Sequence, residues 1–387
     1  MKVLYIGPYR DGTGWAHAAH ENILALDAAG VEVVPRALKL NNVNGEVSPR
    51  IKELEEQSDK GCDIVIQNSL PHHMDYSGLF EKNIAYYFTE TSHFKNCSWA
   101  ERLNLMDSGW VPCNDVLNSS RKSKVTIPLK VVPVPCDVSK YQKQYKKLEI
   151  PQLEDKFVFY TIGEVHRRKN LTALLKAFHL EFAPDEDVAL MIKGSLPGMP
   201  ASELDKHIGE MCNQVKENLK LYKNHTCYHS EIIISQYLDE VQMMRMHASG
   251  DCYVSPSYGE GWNLPAFDAM AMGKTPICTA QGAPMEFLLD IDQIYTGHGG
   301  VDTREAWGGW LVEAHDEPVF GMKETFADLF VGNEDWASID VNELRKTMRE
   351  AFTNHAERKS RSENGINMAY KYSHNVVGKQ MKELLSE

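Results

Sequence analysis

Between Cys252 and Cys278 the chain reads as strand, acidic glycine-rich turn, helix and strand, and that order leaves few folds open. The apolar runs Cys252-Tyr-Val and Pro276-Ile-Cys have the composition of buried strands. Pro265 opens a short helix of small and apolar residues between them, and Gly273 closes it, the asymmetry expected of helix ends. Strands joined through a helix lie parallel in one sheet. A helix that opens at the carboxyl end of such a strand offers free N–H groups and its positive dipole end to an anion. The turn also carries two acids, Glu260 and Asp268, with seven residues between them. Carboxylates do not help bind phosphate, but they accept hydrogen bonds from hydroxyl groups. The turn therefore reads as a site for a ligand both anionic and polyhydroxylated, a description that a nucleotide sugar fits.

The same alternation runs through the whole chain, and it runs twice. In the first half KVLYIGPY (2–9) is a strand, Asp11–Gly14 a turn, and the following helix carries Ala16, Ala19, Ile23 and Leu26 near one face. VEVVPRAL, CDIVIQNS and NIAYYFTE read as further strands, WAERLNLMDS as a helix, and GWVPC and LKVVPVP as extended. The second half restarts with the strand FVFYTIG (157–163) and a helix over about 169–182. Its apolar residues Leu171, Leu174, Leu175, Phe178 and Phe182 share a face at helical spacing. ALMIKGS is a strand, 201–222 a polar helix, HTCYHSEIII extended, and Ser235 the expected N-cap of the next helix. Strands alternating with helices imply parallel sheets covered on both faces, and 387 residues suffice for two domains. The polar, proline-broken stretch KYQKQYKKLEIPQLEDK (140–156) reads as their linker.

Composition excludes several classes. The hydrophobic and charged shares, 43% and 25%, are those of an ordinary globular protein. No apolar run approaches the roughly eighteen residues of a membrane span, and the N-terminal run reads as a strand rather than a secretory signal. A cytoplasmic protein is expected. A net charge of −13 argues against stable nucleic-acid binding. Basic runs at 121–124 and 140–147 read as solvated surface and leave room for a weak peripheral membrane contact. The eight cysteines form no C-x-x-C and the fifteen histidines no H-E-x-x-H, so buried free thiols and no metal site are expected.

Residues 257–276 resemble the signature of the retaining glycosyltransferases of family four. Glu260, Gly261, Trp262, Leu264, Pro265, Ala269, Ala271, Gly273 and Pro276 match it, while Asn263 replaces a usual glycine and Asp268 a usual glutamate. The resemblance implies the GT-B fold, an α/β architecture of two Rossmann-like domains facing across a cleft. Residues 1–145 would then form an acceptor domain and 146–373 a nucleotide-sugar donor domain, with a last helix, 374–387, returning to the first. It also implies metal-independent transfer of a hexose, with retention, from a UDP- or GDP-sugar to a glycan or other hydroxyl acceptor. The nucleotide sugar is a co-substrate, and no cofactor is implied.

Within that resemblance Glu260 touches the donor sugar and Asp268 holds the ribose hydroxyls, with Gly261, Trp262, Asn263 and Leu264 completing the donor turn. The family's G-R-x-x-x-x-K grips the diphosphate; Lys169 falls on its lysine, but Glu164 stands at its arginine, which leaves Arg167 and Arg168 as alternative substitutes, with Arg168 preferred. Independently of any family, Arg167, Arg168 and Lys169 cluster at a helix start, where cations are unfavourable unless an anion sits between them. Lys193, at the end of ALMIKGS, is a further donor-binding candidate. The loop Asp11-Gly-Thr-Gly-Trp15 matches the family's glycine loop, with Gly14 toward the donor and Gly12 toward the acceptor. His93 matches a histidine near the reacting sugar, and His72 and His73 are acceptor-side candidates. No placed nucleophile stands out, which suits a same-face route in which the leaving phosphate helps deprotonate the acceptor. Two alternatives remain open, a nucleotide-sugar epimerase of the same fold and a binding protein that has lost catalysis. A dinucleotide dehydrogenase does not, because IGPYRDGTGW lacks G-x-G-x-x-G spacing.

Overall fold

The computed structural model describes residues 1–40, 44–296, 300–323 and 328–387, without the side chains of 292–304. Its contacts divide into two units. The first comprises Met1–Lys140, Pro318–Trp336 and Ala369–Glu387, the second Tyr141–Glu317 and Ala337–Met368.

The first unit is built on a six-stranded sheet of β1 (Lys2–Gly7), β2 (Glu32–Ala37), β3 (Ile64–Asn68), β4 (Lys82–Tyr86), β5 (Ser108–Val111) and β6 (Leu129–Val131). The strand order is β2-β1-β3-β4-β5-β6, and every pairing is parallel. β1 buries Val3 and Tyr5. The helix Gly14–Ala28 starts where the Thr13 side chain accepts a hydrogen bond from the Ala16 amide, and it buries Ala16, Ala19, Ile23 and Leu26 as their spacing predicts. The C-terminal helix, His374–Ser386, packs on it, and a Cβ at Gly378 would come within 2.1 Å of the Ala25 carbonyl oxygen. Buried Glu21 ties the two together, accepting from His374 Nε2 at 2.6 Å.

The segment 318–336 departs from the expected boundary at 146–373, because it belongs to the first unit. Ser92 and Asp335 exchange two hydrogen bonds, Ser92 N–H to the Asp335 carbonyl at 2.8 Å and Asp335 N–H to Ser92 Oγ at 2.9 Å. Hydrogen bonds between residues so far apart in the chain leave no period that a sequence reading can use.

In the second unit β7 (Phe157–Glu164), β8 (Val188–Ser195), β9 (Glu231–Ile234), β10 (Cys252–Ser255), β11 (Ile277–Thr279) and, beyond the hairpin of β12 (Leu289–Thr296) and β13 (Gly300–Trp307), β14 (Trp310–Val312) form the main sheet's elements. Its order is β14-β11-β10-β7-β8-β9, again all parallel, while β12 and β13 pair antiparallel outside it. Phe159, Phe178, Leu190, Ile192, Val254 and Ile277 lie in the core beside this sheet. Three local expectations are corrected here. Arg167–Lys169 form a separate 3₁₀ turn, and left-handed Asn170 (φ 53°) divides it from the helix Leu171–Glu181. HTCYHSEIII is extended as a strand only over Glu231–Ile234. Ser235 does not cap the next helix; Asp239 does, through a capping box with Gln242 that outcompetes a lone serine. No helix among the described residues is long and apolar enough to cross a membrane.

Candidate functional site

Each sheet has a switch point, where successive connections leave a strand toward opposite edges and open a crevice at the strands' carboxyl ends. In the first unit it lies between β1 and β3, because β2 flanks β1 on the other side. In the second it lies between β7 and β10, because β8 flanks β7 on the other side. The glycine loop follows β1 and the histidine pair follows β3, while Arg167–Lys169 follow β7 and the acidic turn follows β10. Parallel topology alone therefore gathers these residues to two crevices, one in each unit, while His93 follows β4 instead.

The second unit's crevice centres on Glu260, whose residue is 9% exposed. Lys169 Nζ donates to its Oε1 at 2.6 Å and Arg168 Nη1 to its Oε2 at 3.3 Å. Burial by itself pushes this carboxyl up, but the charges of Lys169 and Arg168 outweigh it and hold the group at about 2. Arg168 also donates to the Gly259 carbonyl at 2.6 Å, and its own carbonyl accepts from Tyr258 N–H at 2.8 Å. The two loops are thus stitched to one another by side chain and backbone. Arg167 takes a different place, over the Tyr258 ring at 5.3 Å. Glu164, at the family's arginine position, faces His166 at 3.5 Å, which draws its carboxyl below the usual range.

Lys193 lines the same crevice as Lys169, Ser255 and Ser257. It is 6% exposed, donates to the Gly194 carbonyl at 2.7 Å, and burial lowers its pKa. Across this neighbourhood four cations (Arg167, Arg168, Lys169 and Lys193) outnumber three carboxylates (Glu164, Glu260 and Glu317). An excess of partly desolvated positive charge suits an anion.

Asn263 explains its own substitution. It adopts φ 67° and ψ 62°, the left-handed region that glycine and asparagine tolerate best, so the backbone of a glycine turn survives with asparagine in it. Its side chain also caps the helix Leu264–Ala271 and donates to Ser255 Oγ at 3.0 Å. Gly261 is buried and Leu264 half-buried beside it. The Trp262 ring is 4% exposed and packed against Phe267 and Phe287, so it is part of the local core. Asp268 accepts a 2.5 Å hydrogen bond from the Tyr141 hydroxyl.

In the first unit Gly12 and Gly14 are exposed, with Gly14 opening its helix. β4 ends at Tyr86, so His93 belongs to a loop rather than a strand end. There the Thr91 hydroxyl donates to the His93 carbonyl at 2.9 Å. His72 Nδ1 accepts from Trp99 Nε1 at 3.0 Å, and the His73 ring lies 4.1 Å away. Burial and then the neighbouring His73 lower the His72 pKa, in keeping with an unprotonated, accepting nitrogen.

Three contributors were not predicted. Ser257 bonds to Glu260, Gly282 packs where a Cβ would meet the Glu260 carbonyl oxygen at 2.3 Å, and Tyr141 holds Asp268. Only Gly282, in a Gly-Ala-Pro turn, carries a local composition signal.

Residues 143–297 match the family model of the glycosyl transferases group 1. That segment is a group 1 glycosyl transferase module. It contains Lys169, Lys193, Glu260 and Asp268. No curated protein matches the chain by sequence. Among solved structures, sucrose-phosphate synthase from Thermosynechococcus elongatus superposes with a TM-score of 0.64 at 14% identity, over 100% of this chain and 98% of that one. Anabaena HepE in complex with UDP and glucose gives 0.61 at 13% identity, over 100% and 99%. An E. coli structure described as trehalose-6-phosphate bound with UDP-2-fluoro glucose gives 0.67 at 11% identity, again over 100% and 99%. Around the group 1 module, the whole chain has the GT-B fold, two Rossmann-like units each with its parallel sheet.

Proposed function

We propose that this protein transfers a hexosyl group from a nucleoside-diphosphate sugar to a hydroxyl acceptor, with retention at the anomeric carbon and without a metal ion. One observation carries the reading: a buried carboxylate, Glu260, bracketed by Lys169 and Arg168 at the carboxyl-end switch point of the group 1 module. As the glycosidic bond to the nucleotide breaks, negative charge grows on the diphosphate leaving group. Lys169 and Arg168 are the groups that take up that charge, with Lys193 and the dipole of the helix Leu264–Ala271 in support. Glu260 accepts hydrogen bonds from the donor sugar, and Asp268 accepts them from the ribose. Gly261, Asn263 and Leu264 shape the turn, Trp262 supports it from the core, and Gly14 allows close backbone approach. His93 stands near the reacting sugar, and Gly12, His72 and His73 lie toward the acceptor. The acceptor's proton passes to the departing phosphate, so the chain's own residues position groups and stabilise charge rather than attack.

The ligands of two structural neighbours, UDP with glucose and UDP-2-fluoro glucose, make a UDP-hexose the first donor to test, with GDP-sugars second. Thermal melting against UDP, GDP and their sugars tests the reading. A ligand at a hundredfold its Kd adds about 2.7 kcal/mol of stability. Stabilisation by one nucleotide diphosphate is expected, with Lys169→Ala weakening the diphosphate far more than the nucleoside. Glu260→Gln is expected to keep nucleotide binding and lose most transfer. A wild-type protein indifferent to every nucleotide would sink the proposal.

A further inference from the structure

Asp268 stands where the family signature carries glutamate, so its carboxylate sits on a side chain one methylene shorter. The same carboxylate is 2.5 Å from the Tyr141 hydroxyl, and both residues belong to the second unit. In this contact the phenol donates and the carboxylate oxygen accepts. Asp268 is 8% exposed, and the Tyr141 ring packs edge-on against Phe267 with centroids 6.4 Å apart. Tyr141 ends the short helix Val138–Tyr141, just before the matched segment 143–297 and far in sequence from the signature.

We propose that Tyr141 is a positioning residue of the donor site, fixing the Asp268 carboxylate in the orientation that distinguishes ribose from deoxyribose. The inference rests on the reading of Asp268 as the ribose-holding acid. A carboxylate offers about four acceptor directions, and the phenol takes one on Oδ1. The terminal torsion of an aspartate is broad, so the direction of the others is set by whatever holds the group. With the phenol in place the acid meets a sugar hydroxyl without first reorienting, and the selectivity comes from that preorganisation. Removing the hydroxyl leaves the ring packing on Phe267 intact and takes away the hydrogen bond that orients Oδ1. A shorter acid needs such a brace because it cannot reach a misplaced diol by extending.

The test is calorimetric binding of UDP, 2′-deoxy-UDP, GDP and 2′-deoxy-GDP to the wild type, Tyr141→Phe and Asp268→Ala. For the base that binds, the wild type is expected to prefer the ribose form by about tenfold, the scale of one hydrogen bond to a charged group. Asp268→Ala should bind both forms alike. Tyr141→Phe should cut the preference by about threefold or more, through weaker ribose binding and an unchanged deoxy affinity. The ratio is internal to one sample, so a fall in folded fraction does not mimic it. If Tyr141→Phe keeps the wild-type ratio, or loses both affinities equally, while Asp268→Ala abolishes the ratio, the positioning role is overturned and the ribose reading stands. If Asp268→Ala keeps the ratio, or the wild type binds none of the four probes, the ribose reading fails and the positioning role with it.

Discussion

Residue by residue, the most informative groups are those whose charge is out of keeping with their burial. Glu260 is the clear case. Its stabilisation by Lys169 and Arg168 is present above the ordinary carboxylate value of 4.5 and is lost as pH falls toward about 2. Glu334 is the opposite case. It is fully buried in the first unit, its Oε2 accepts from the Phe330 amide at 3.0 Å, and burial raises its pKa from 4.5 to about 7. The folded state therefore binds this proton more tightly than the unfolded chain does. Its contribution is full below 4.5 and is lost as pH rises through 7. Glu334→Gln, which keeps the shape without the charge, should gain melting temperature relative to the wild type between pH 5 and pH 8. Parallel melting curves with no pH-dependent difference would contradict the shift. The sequence singles out Glu260 but not Glu334, and the partners of both are named only by the fold.

At the scale of elements, helix ends were legible and helix contacts were not. Pro265 and Gly273 bracket the signature helix as their chemistry requires, and Gly273 has the positive φ, 69°, that a closing glycine permits. Ser235 misled because a polar residue near a helix start is common, and only the reciprocal bonds of Asp239 and Gln242 decide the cap. Two helical glycines make the same point with opposite signs. Gly378 lies where a Cβ would collide with the Ala25 carbonyl at 2.1 Å, whereas a Cβ at Gly209 meets nothing within 4 Å. Gly378→Ala should cost about 1–3 kcal/mol through forced separation of the two helices. Gly209→Ala should gain about 0.5–1 kcal/mol from the higher helix propensity of alanine. Denaturant titration of both variants separates the cases, and a like sign for the two would refute the packing argument.

For the whole molecule, the fold depends on contacts between distant parts of the chain. The first unit is completed by the C-terminal helix, which buries Val377, Met381 and Leu385 and places His374 on Glu21. Deleting 374–387 strips that apolar face from the helix Gly14–Ala28 and leaves the buried Glu21 without its 2.6 Å partner. Loss of amide protection across β1–β3 is the expected result, and hydrogen exchange that matched the full chain would contradict it. The amino-acid sequence by itself determined the architecture. Apolar strands alternating with helices admit little besides parallel sheets, and parallel sheets place their loops at switch points. It also singled out Glu260 and Asp268 by the glycine, proline and acid spacing of one turn, and Lys169 by its place in a cationic cluster at a helix start. The tertiary structure alone decided that Arg168 rather than Arg167 reaches Glu260, that Tyr141 holds Asp268, and that 318–336 returns to the first unit. Those outcomes depend on which loops meet in space. Such meetings are fixed by long-range packing, which leaves no period in the chain.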